Sequence, residues 1–163
     1  MERVCDTYRD KSNQPASAKS EAMEPEIICA DDPAPWPRYK PGMYDLRCTG
    51  YEFVRVRMYG NSWKLRLHFR FMDMEHTGRV CKFFHMGNES KPKAGRKSEY
   101  FRAWILANGG RLPRKGAALS PRKFTGHVFK CVIQDVRRTL DPGVNHGEEG
   151  IYSTVAKIVE LCA

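Results

Sequence analysis

Residues 63–71 read Trp-Lys-Leu-Arg-Leu-His-Phe-Arg-Phe, and this stretch decides the fold class. Every odd position from Trp63 to Phe71 is apolar. Every even position is basic or imidazole, namely Lys64, Arg66, His68 and Arg70. A helix repeats its faces about every 3.6 residues and does not produce this alternation, whereas a half-buried β-strand requires it. The stretch therefore predicts a strand with an apolar inner face and a basic outer face.

Four more strands are predicted on either side of this one. Their segments are rich in aromatic and β-branched residues and are separated by turn-forming Gly, Pro, Asn and Asp. They cover Met43–Arg57, Arg79–Met86, His127–Arg137 and Tyr152–Leu161. Gly50 is a candidate bulge or bend within the first of them.

One helix is predicted between the third and fourth strands. Ser98 can cap its first turn, and Gly109-Gly110 ends it. Its apolar stripe consists of Tyr100, Phe101, Trp104, Ile105 and Ala107. We expect Phe101, Trp104 and Ile105 of this stripe to plug one open end of a barrel formed by the strands.

The order of three strands, a helix and two strands predicts a mainly β protein. It fits a five-stranded OB-type Greek-key barrel with the helix between strands three and four. An α+β sheet with the helix packed on one face has the same order of elements, and order alone does not separate the two folds.

Residues 1–41 differ in composition from the rest of the chain. Four prolines fall between positions 33 and 41, and the segment holds six Lys/Arg against eight Asp/Glu. We predict a disordered or extended N-terminal tail, pinned by Trp36 and Tyr39, before a domain at 42–163.

The net charge of +9 is concentrated in one part of the chain. Residues 79–130 hold 13 Lys/Arg and only two Asp/Glu. Such a concentration favours a polyanionic partner, although basic residues also keep small proteins in solution. No apolar stretch is long enough to span a membrane, so we expect nucleic acid rather than a membrane as the partner. Six scattered cysteines and a charged N-terminus favour the cytoplasm.

Strands one to three followed by the helix resemble the OB-fold single-stranded-DNA-binding proteins of phages and other mobile elements. An uncharacterised bacterial family is also similar, in Tyr100-Phe101-Arg102-Ala103-Trp104, Asn108-Gly109-Gly110, Pro121 to Phe129 and Tyr152-Ser153. These resemblances cover about 42–163. The first implies single-stranded DNA binding near replication or recombination, and neither brings catalytic residues.

The candidate binding residues follow from the predicted outer faces, because a single-strand binder needs cations for phosphates and rings for bases. On strand two they are Lys64, Arg66, His68 and Arg70. With Val54 and Val56 expected to point inward, strand one adds Tyr51, Phe53, Arg55 and Arg57. Strand three adds Lys82, beside whichever of Phe83 and Phe84 is exposed. The loops and the short turn after the helix add Lys91, Lys93, Arg96, Lys97, Arg122 and Lys123.

No catalytic or metal site is predicted. His68, Asp73, Glu75 and His76 could together ligate a metal, but the last three are better explained as a polar hairpin turn. Gly95-Arg96-Lys97-Ser98 lacks the preceding glycine of a phosphate-binding loop. We therefore expect no cofactor, no metal and no enzyme activity.

The sequence thus predicts a non-catalytic nucleic-acid-binding protein, with single-stranded DNA as the expected ligand. The alternative is a protein-interaction OB module without a nucleic-acid ligand, because the same fold serves both functions. The choice between DNA and RNA, and a homo-oligomer or protein partner held through the tail, stay open.

Overall fold

The structure is a computed structural model that describes residues 37–56, 61–137 and 150–162. In these residues the chain is mainly β, with five antiparallel strands and one helix. The elements are β1 (Gly42–Val56), β2 (Ser62–Phe71), β3 (Arg79–His85), α1 (Glu99–Ala107), β4 (Val128–Arg137) and β5 (Ile151–Leu161). A single 3-10 turn, Pro121–Lys123, precedes β4. The bounds of the predicted strands agree with these to within about one residue.

The five strands form one sheet in the order β3-β2-β1-β4-β5. The edges of a flat sheet of five strands would lie roughly 19 Å apart, at about 4.8 Å per neighbouring pair. Here the edges are joined, because the Thr154 hydroxyl on β5 donates to the Cys81 carbonyl on β3 at 2.6 Å. The sheet therefore coils until β3 approaches β5. No backbone ladder joins these two strands in the described part of the chain, so the sheet is open there.

The inner face of the coiled sheet carries the core. Its centre is a series of aromatic rings from four elements, with centroid separations of 5.5 Å between Phe84 and Tyr100, 5.9 Å between Tyr100 and Phe124, and 5.9 Å between Phe124 and Phe129. The Phe69 ring continues the series from β2, at 6.3 Å from Phe129. All five rings are almost fully buried, so the core ties α1 and the 3-10 turn to the sheet.

Helix α1 begins and ends where the sequence predicts. The Ser98 hydroxyl accepts the Phe101 N–H, and Gly109 and Gly110 both have positive φ beyond the last turn. The predicted packing stripe is confirmed for Tyr100, Trp104 and Ala107, which are buried. Phe101 and Ile105 are only half-buried. The buried face is Tyr100, Ala103, Trp104 and Ala107, because positions i, i+3, i+4 and i+7 share one side of a helix.

Residues 37–40 lie along the sheet as an arm, and Tyr39 anchors it as predicted. Its backbone N–H donates to the Ser153 hydroxyl at 2.7 Å, and its phenol donates to the Thr77 carbonyl at 3.0 Å. Its ring packs on Phe71 with centroids 4.5 Å apart. Residues 1–36, including Trp36 and most of the predicted tail, lie outside the described residues.

Candidate nucleic-acid interface

The alternating strand places its two sides as its sequence predicts. Leu65, Leu67 and Phe69 of β2 are fully buried on the inner face. The even-numbered side chains lie on the outer face, between their cross-strand partners on β1 and β3. We call this outer surface of β1–β3 the basic face, and it consists of Arg47, Glu52, Lys64, Arg66, His68, Arg70, Arg79, Cys81, Phe83 and His85.

Three arginines occupy one row across the basic face. Arg47 on β1 is the direct partner of Arg70 on β2, and Arg70 is the direct partner of Arg79 on β3. All three are exposed, and none forms an ion pair within the described residues. Directly opposed side chains on antiparallel strands have Cβ atoms about 4.5–5.5 Å apart, and like charges there destabilise the sheet. The row therefore concentrates positive charge that no acidic side chain of the described residues neutralises.

The middle of the basic face is organised around one carboxylate. Glu52 Oε1 forms an ion pair with the Arg66 guanidinium and lies 3.0 Å from His68 Nε2. The other ring nitrogen of His68 is 3.6 Å from the Cys81 sulfur. These contacts assign the His68 tautomer with its proton on Nε2, because Nε2 then donates to the carboxylate and Nδ1 accepts from the thiol. Arg66 is thus held by a protein partner, unlike the three arginines of the row.

Aromatic rings accompany the cations on this face. Phe83 points outward and is half-buried, while Phe84 is buried in the core. The Arg66 guanidinium lies 5.9 Å from the centre of the Phe83 ring. His85 is exposed opposite Lys64 at the end of β3. Phe83 is therefore the ring of strand three that lies beside the outward cations.

The predicted outward positions of strand one are wrong. A β-bulge between Cys48 and Gly50 inserts one extra residue and reverses the alternation beyond it. Tyr51 and Phe53 consequently lie opposite the inward Leu67 and Leu65. Tyr51 packs on the core, and Phe53 is partly exposed at its margin.

Arg55 follows the same reversed alternation. It lies opposite Trp63, and its guanidinium is 5.3 Å from the centre of that ring. The side of β1 that joins the basic face carries Glu52, Val54 and Val56 instead. Arg57 lies outside the described residues.

Lys82 was predicted as a binding residue, and this prediction is wrong. It shares the inner side of β3 with Val80 and Phe84 and is buried. Its ammonium donates to the Ala156 carbonyl on β5 and lies 2.7 Å from a Glu99 carboxylate oxygen. A lysine in this position links β3, β5 and α1 and is not available to a phosphate on the surface.

The predicted loop cations stay at the surface but do not form one site. Lys91, Lys97, Arg122 and Lys123 are exposed. Lys93 pairs with Glu89 four residues earlier. Arg96 lies at a small hollow beside α1. The excess charge of residues 79–130 is therefore divided among the basic face, the core and the loops around α1.

The described residues offer no cluster of three or more metal-ligating side chains. Asp73 and His76 hold each other in the turn after β2, with His76 Nδ1 2.9 Å from Asp73 Oδ1. His68 is engaged elsewhere, with Glu52 and Cys81. The four residues considered as a metal site therefore do not converge.

The buried thiols are poorly suited to nucleophilic chemistry. Burial raises the pKa of Cys48 to about 11. Burial, reinforced by neighbouring acidic groups, raises the pKa of Cys131 to about 12. The thiolate is the reactive form, and both side chains stay protonated at neutral pH.

Searches against known protein families and curated proteins gave no match to this chain. Among the described residues, no helix is long and apolar enough to cross a membrane.

Sequence reasoning missed three members of the basic face as binding residues: Arg47, Arg79 and His85. It left open whether Phe83 or Phe84 is the exposed ring, and the structure shows that it is Phe83. The sequence did contain a signal for Arg79 and His85. A hairpin that pairs the apolar Phe69 with Val80 puts Arg79 opposite Arg70 and His85 opposite Lys64, on the outer face. The signal for Arg47 was also present, because the expected alternation of strand one puts position 47 on the same side as the predicted outward positions 51 to 57.

Proposed function

We propose that this chain is a non-catalytic nucleic-acid-binding protein with an OB-type Greek-key barrel, and that its basic face binds single-stranded DNA. Participation in replication or recombination of a phage or mobile element, in the cytoplasm, belongs to the same proposal. The observation that carries the binding function is the row of Arg47, Arg70 and Arg79, for which the described part of the chain supplies no acidic partner.

The topology supports the barrel. A five-stranded Greek key needs a meander whose fourth strand returns to lie beside the first. β1, β2 and β3 form such a meander, and β4 pairs with β1. The hydrogen bond from Thr154 to Cys81 joins the two edges, as the closing of a barrel requires. The proposed surface is the outer face around strands two and three, where OB folds bind oligonucleotides.

The chemistry of the basic face supports a polyanion. An arginine fork matches the oxygens of a phosphate, and three unpaired forks in register are unfavourable until an anion lies over them. Alternate residues along β2 are about 6.6 Å apart. Lys64 lies at the opposite end of β2 from Arg70 and can therefore contact a phosphate further along the same DNA strand. Phe83 and His85 supply π-faces between these cations, where unpaired bases can stack.

The test is fluorescence anisotropy with single-stranded DNA, duplex DNA and single-stranded RNA of equal length across a salt series. The test variant is Arg70→Gln/Arg79→Gln, which removes two of the three forks. The control is Arg111→Gln/Arg137→Gln, which makes the same change in net charge at exposed positions off the basic face.

Each phosphate contact with a single strand contributes about −0.7 to the slope of log K against log salt. Loss of two contacts should make this slope shallower by about 1.4. With equal affinity of variant and wild type near 1 M salt, the variant then binds roughly 25-fold more weakly than the wild type at 0.1 M salt. The control should keep most of the affinity and nearly all of the slope. Single-stranded DNA bound equally well by the test variant and the wild type would contradict the proposed interface.

The alternative function is a protein-interaction module, and one observation favours it. A cavity of about 480 Å³ lies between α1 and β5, with Ala103, Leu106 and Ile158 among its walls and Glu99 and Arg102 beside them. Such a mixture of apolar and charged side chains suits a peptide. If no nucleic acid binds even at low salt, this alternative replaces the proposed function.

A further inference from the structure

A second cationic site lies beside the start of α1, away from the basic face. An open hollow of about 150 Å³ lies at the surface between the loop before α1 and the loop after it. Three of its walls are cations, Arg96, Arg114 and Lys115. The apolar side chains Phe101, Pro113 and Leu119 form much of the remaining wall.

The charges around the hollow have no acidic counterpart among the described residues. No Asp or Glu of the described ranges lines it. None of its three cations forms an ion pair within the described residues, whereas Lys93 in the same loop pairs with Glu89. The loop before α1 thus neutralises Lys93 but leaves Arg96 without an acidic partner among the described residues. Three cations that line one hollow without an acidic neighbour among the described residues favour an anion as the ligand.

The size and walls of the hollow narrow the chemistry of that anion. A water molecule takes up about 30 Å³ in the liquid, so the hollow holds the volume of about five waters. This volume is sufficient for one phosphate group with part of its sugar. A phosphate monoester carries a charge of about −1.5 to −2 at pH 7, more than the single charge of an internal phosphodiester. Three cations around one hollow match the more highly charged group, and the apolar wall can contact the attached sugar or base.

We propose that this hollow binds the terminal phosphate of a nucleic-acid strand. The inference rests on the proposed function, since it assigns the end of the same ligand whose interior phosphates lie on the basic face. It adds selectivity for phosphorylated strand ends, which the basic face alone does not provide.

The test compares three DNA strands of one sequence, each labelled at an internal base. One strand has a 5′-phosphate, one has a 3′-phosphate, and one has hydroxyls at both ends. We expect at least one phosphorylated end to raise the affinity of the wild-type protein about fivefold, the scale of an additional exposed charge contact. The variant Arg114→Gln/Lys115→Gln should lose this gain and bind all three strands equally.

The matched control is Arg111→Gln/Lys157→Gln, in which two exposed cations outside the hollow are neutralised. It should keep the gain from the terminal phosphate, and thermal unfolding should show that both variants fold like the wild type. Equal affinity of the wild type for all three strands, or a gain that survives in Arg114→Gln/Lys115→Gln, would overturn the inference.

Two further measurements distinguish the strand-end site from the proposed function and from a site for free nucleotides. Binding of the strand with two hydroxyl ends tests the proposed function alone, because it does not involve the hollow. Thymidine 5′-monophosphate serves as a competitor at millimolar concentration. If it binds more tightly than the phosphorylated strand, the hollow is a site for free nucleotides and the assignment to strand ends is wrong.

Discussion

Replacement of Lys82 tests whether the buried cation of β3 is a structural link or a binding residue. Its ammonium contacts the Ala156 carbonyl on β5 and the Glu99 carboxylate on α1. It also lies 5.3 Å from the centre of the Phe84 ring. Because these contacts join three elements, we expect the loss of Lys82 to lower stability and to leave nucleic-acid binding nearly unchanged.

The magnitude follows from the groups removed. Lys82→Ala deletes three buried methylenes, at about 0.8 kcal/mol each, and leaves the Ala156 carbonyl without its donor, at roughly 1–3 kcal/mol. Relief from burying an ammonium offsets part of this, so the net loss should be about 3 kcal/mol. The Glu99 side chain is half exposed, so its carboxylate stays hydrated after Lys82 is removed. The loss of stability is therefore at the low end of the range for a broken buried ion pair. Lys82→Met keeps most of the stem and should cost only about 1 kcal/mol.

The assay is thermal and urea unfolding followed by circular dichroism, with anisotropy of single-stranded DNA on the same samples. For a domain of this size, about 3 kcal/mol corresponds to a fall in Tm of roughly 10 °C for Lys82→Ala. Lys82→Met should stay close to the wild type in both Tm and salt slope. If Lys82→Met instead retains full stability but loses affinity and flattens the salt slope, then Lys82 reaches phosphate and its placement on the inner face is refuted.

Two other predictions concern stability. Trp104→Ala should lower the free energy of unfolding by about 3–5 kcal/mol in urea, because the indole is buried and donates to the Ser120 carbonyl at 3.1 Å. Asp135→Asn should remove a pH-dependent part of the stability: burial alone would raise the pKa of Asp135, but hydrogen bonds from Arg38 and Ser153 bring this pKa below its ordinary value. A lowered pKa means stability that is present above about pH 4 and is lost as the pH falls further. The difference between wild type and Asp135→Asn should thus shrink below about pH 4.

Each of these has a clear contrary result. A nearly neutral Trp104→Ala would place the indole at the surface. A stability difference for Asp135→Asn that stays constant from pH 6 down to the acid transition would mean that the ionised carboxylate contributes nothing to the arm around Arg38.

Basic residues that are close together in the sequence lie at several different places in the folded protein. Residues 79–130 supply 13 basic side chains in sequence. In three dimensions Arg79 joins the basic face, Lys82 enters the core, and Arg96, Arg114 and Lys115 surround the hollow beside α1. Burial and pairing, rather than the local density of basic residues, decide which of them can meet a polyanion.

The sequence by itself determined the features that depend on near neighbours along the chain. Alternation over 63–71 fixed both sides of β2, because successive side chains of a strand point to opposite faces. Ser98 and Gly109-Gly110 bounded α1, because capping and positive φ are properties of one or two residues. The outward cations of β2 were predicted for the same local reason.

Only the tertiary structure decided the features that depend on distant partners. The bulge after Cys48 reversed the sides of Tyr51 and Phe53, and the sequence was ambiguous there because Val54 and Val56 on the other side are also apolar. Lys82 could be recognised as internal only once β5 and α1 supplied an acceptor and a carboxylate, since a lysine is buried only where it is paired. The alignment of three arginines across β1, β2 and β3 likewise required the register of two ladders, which long-range pairing sets and no local pattern encodes.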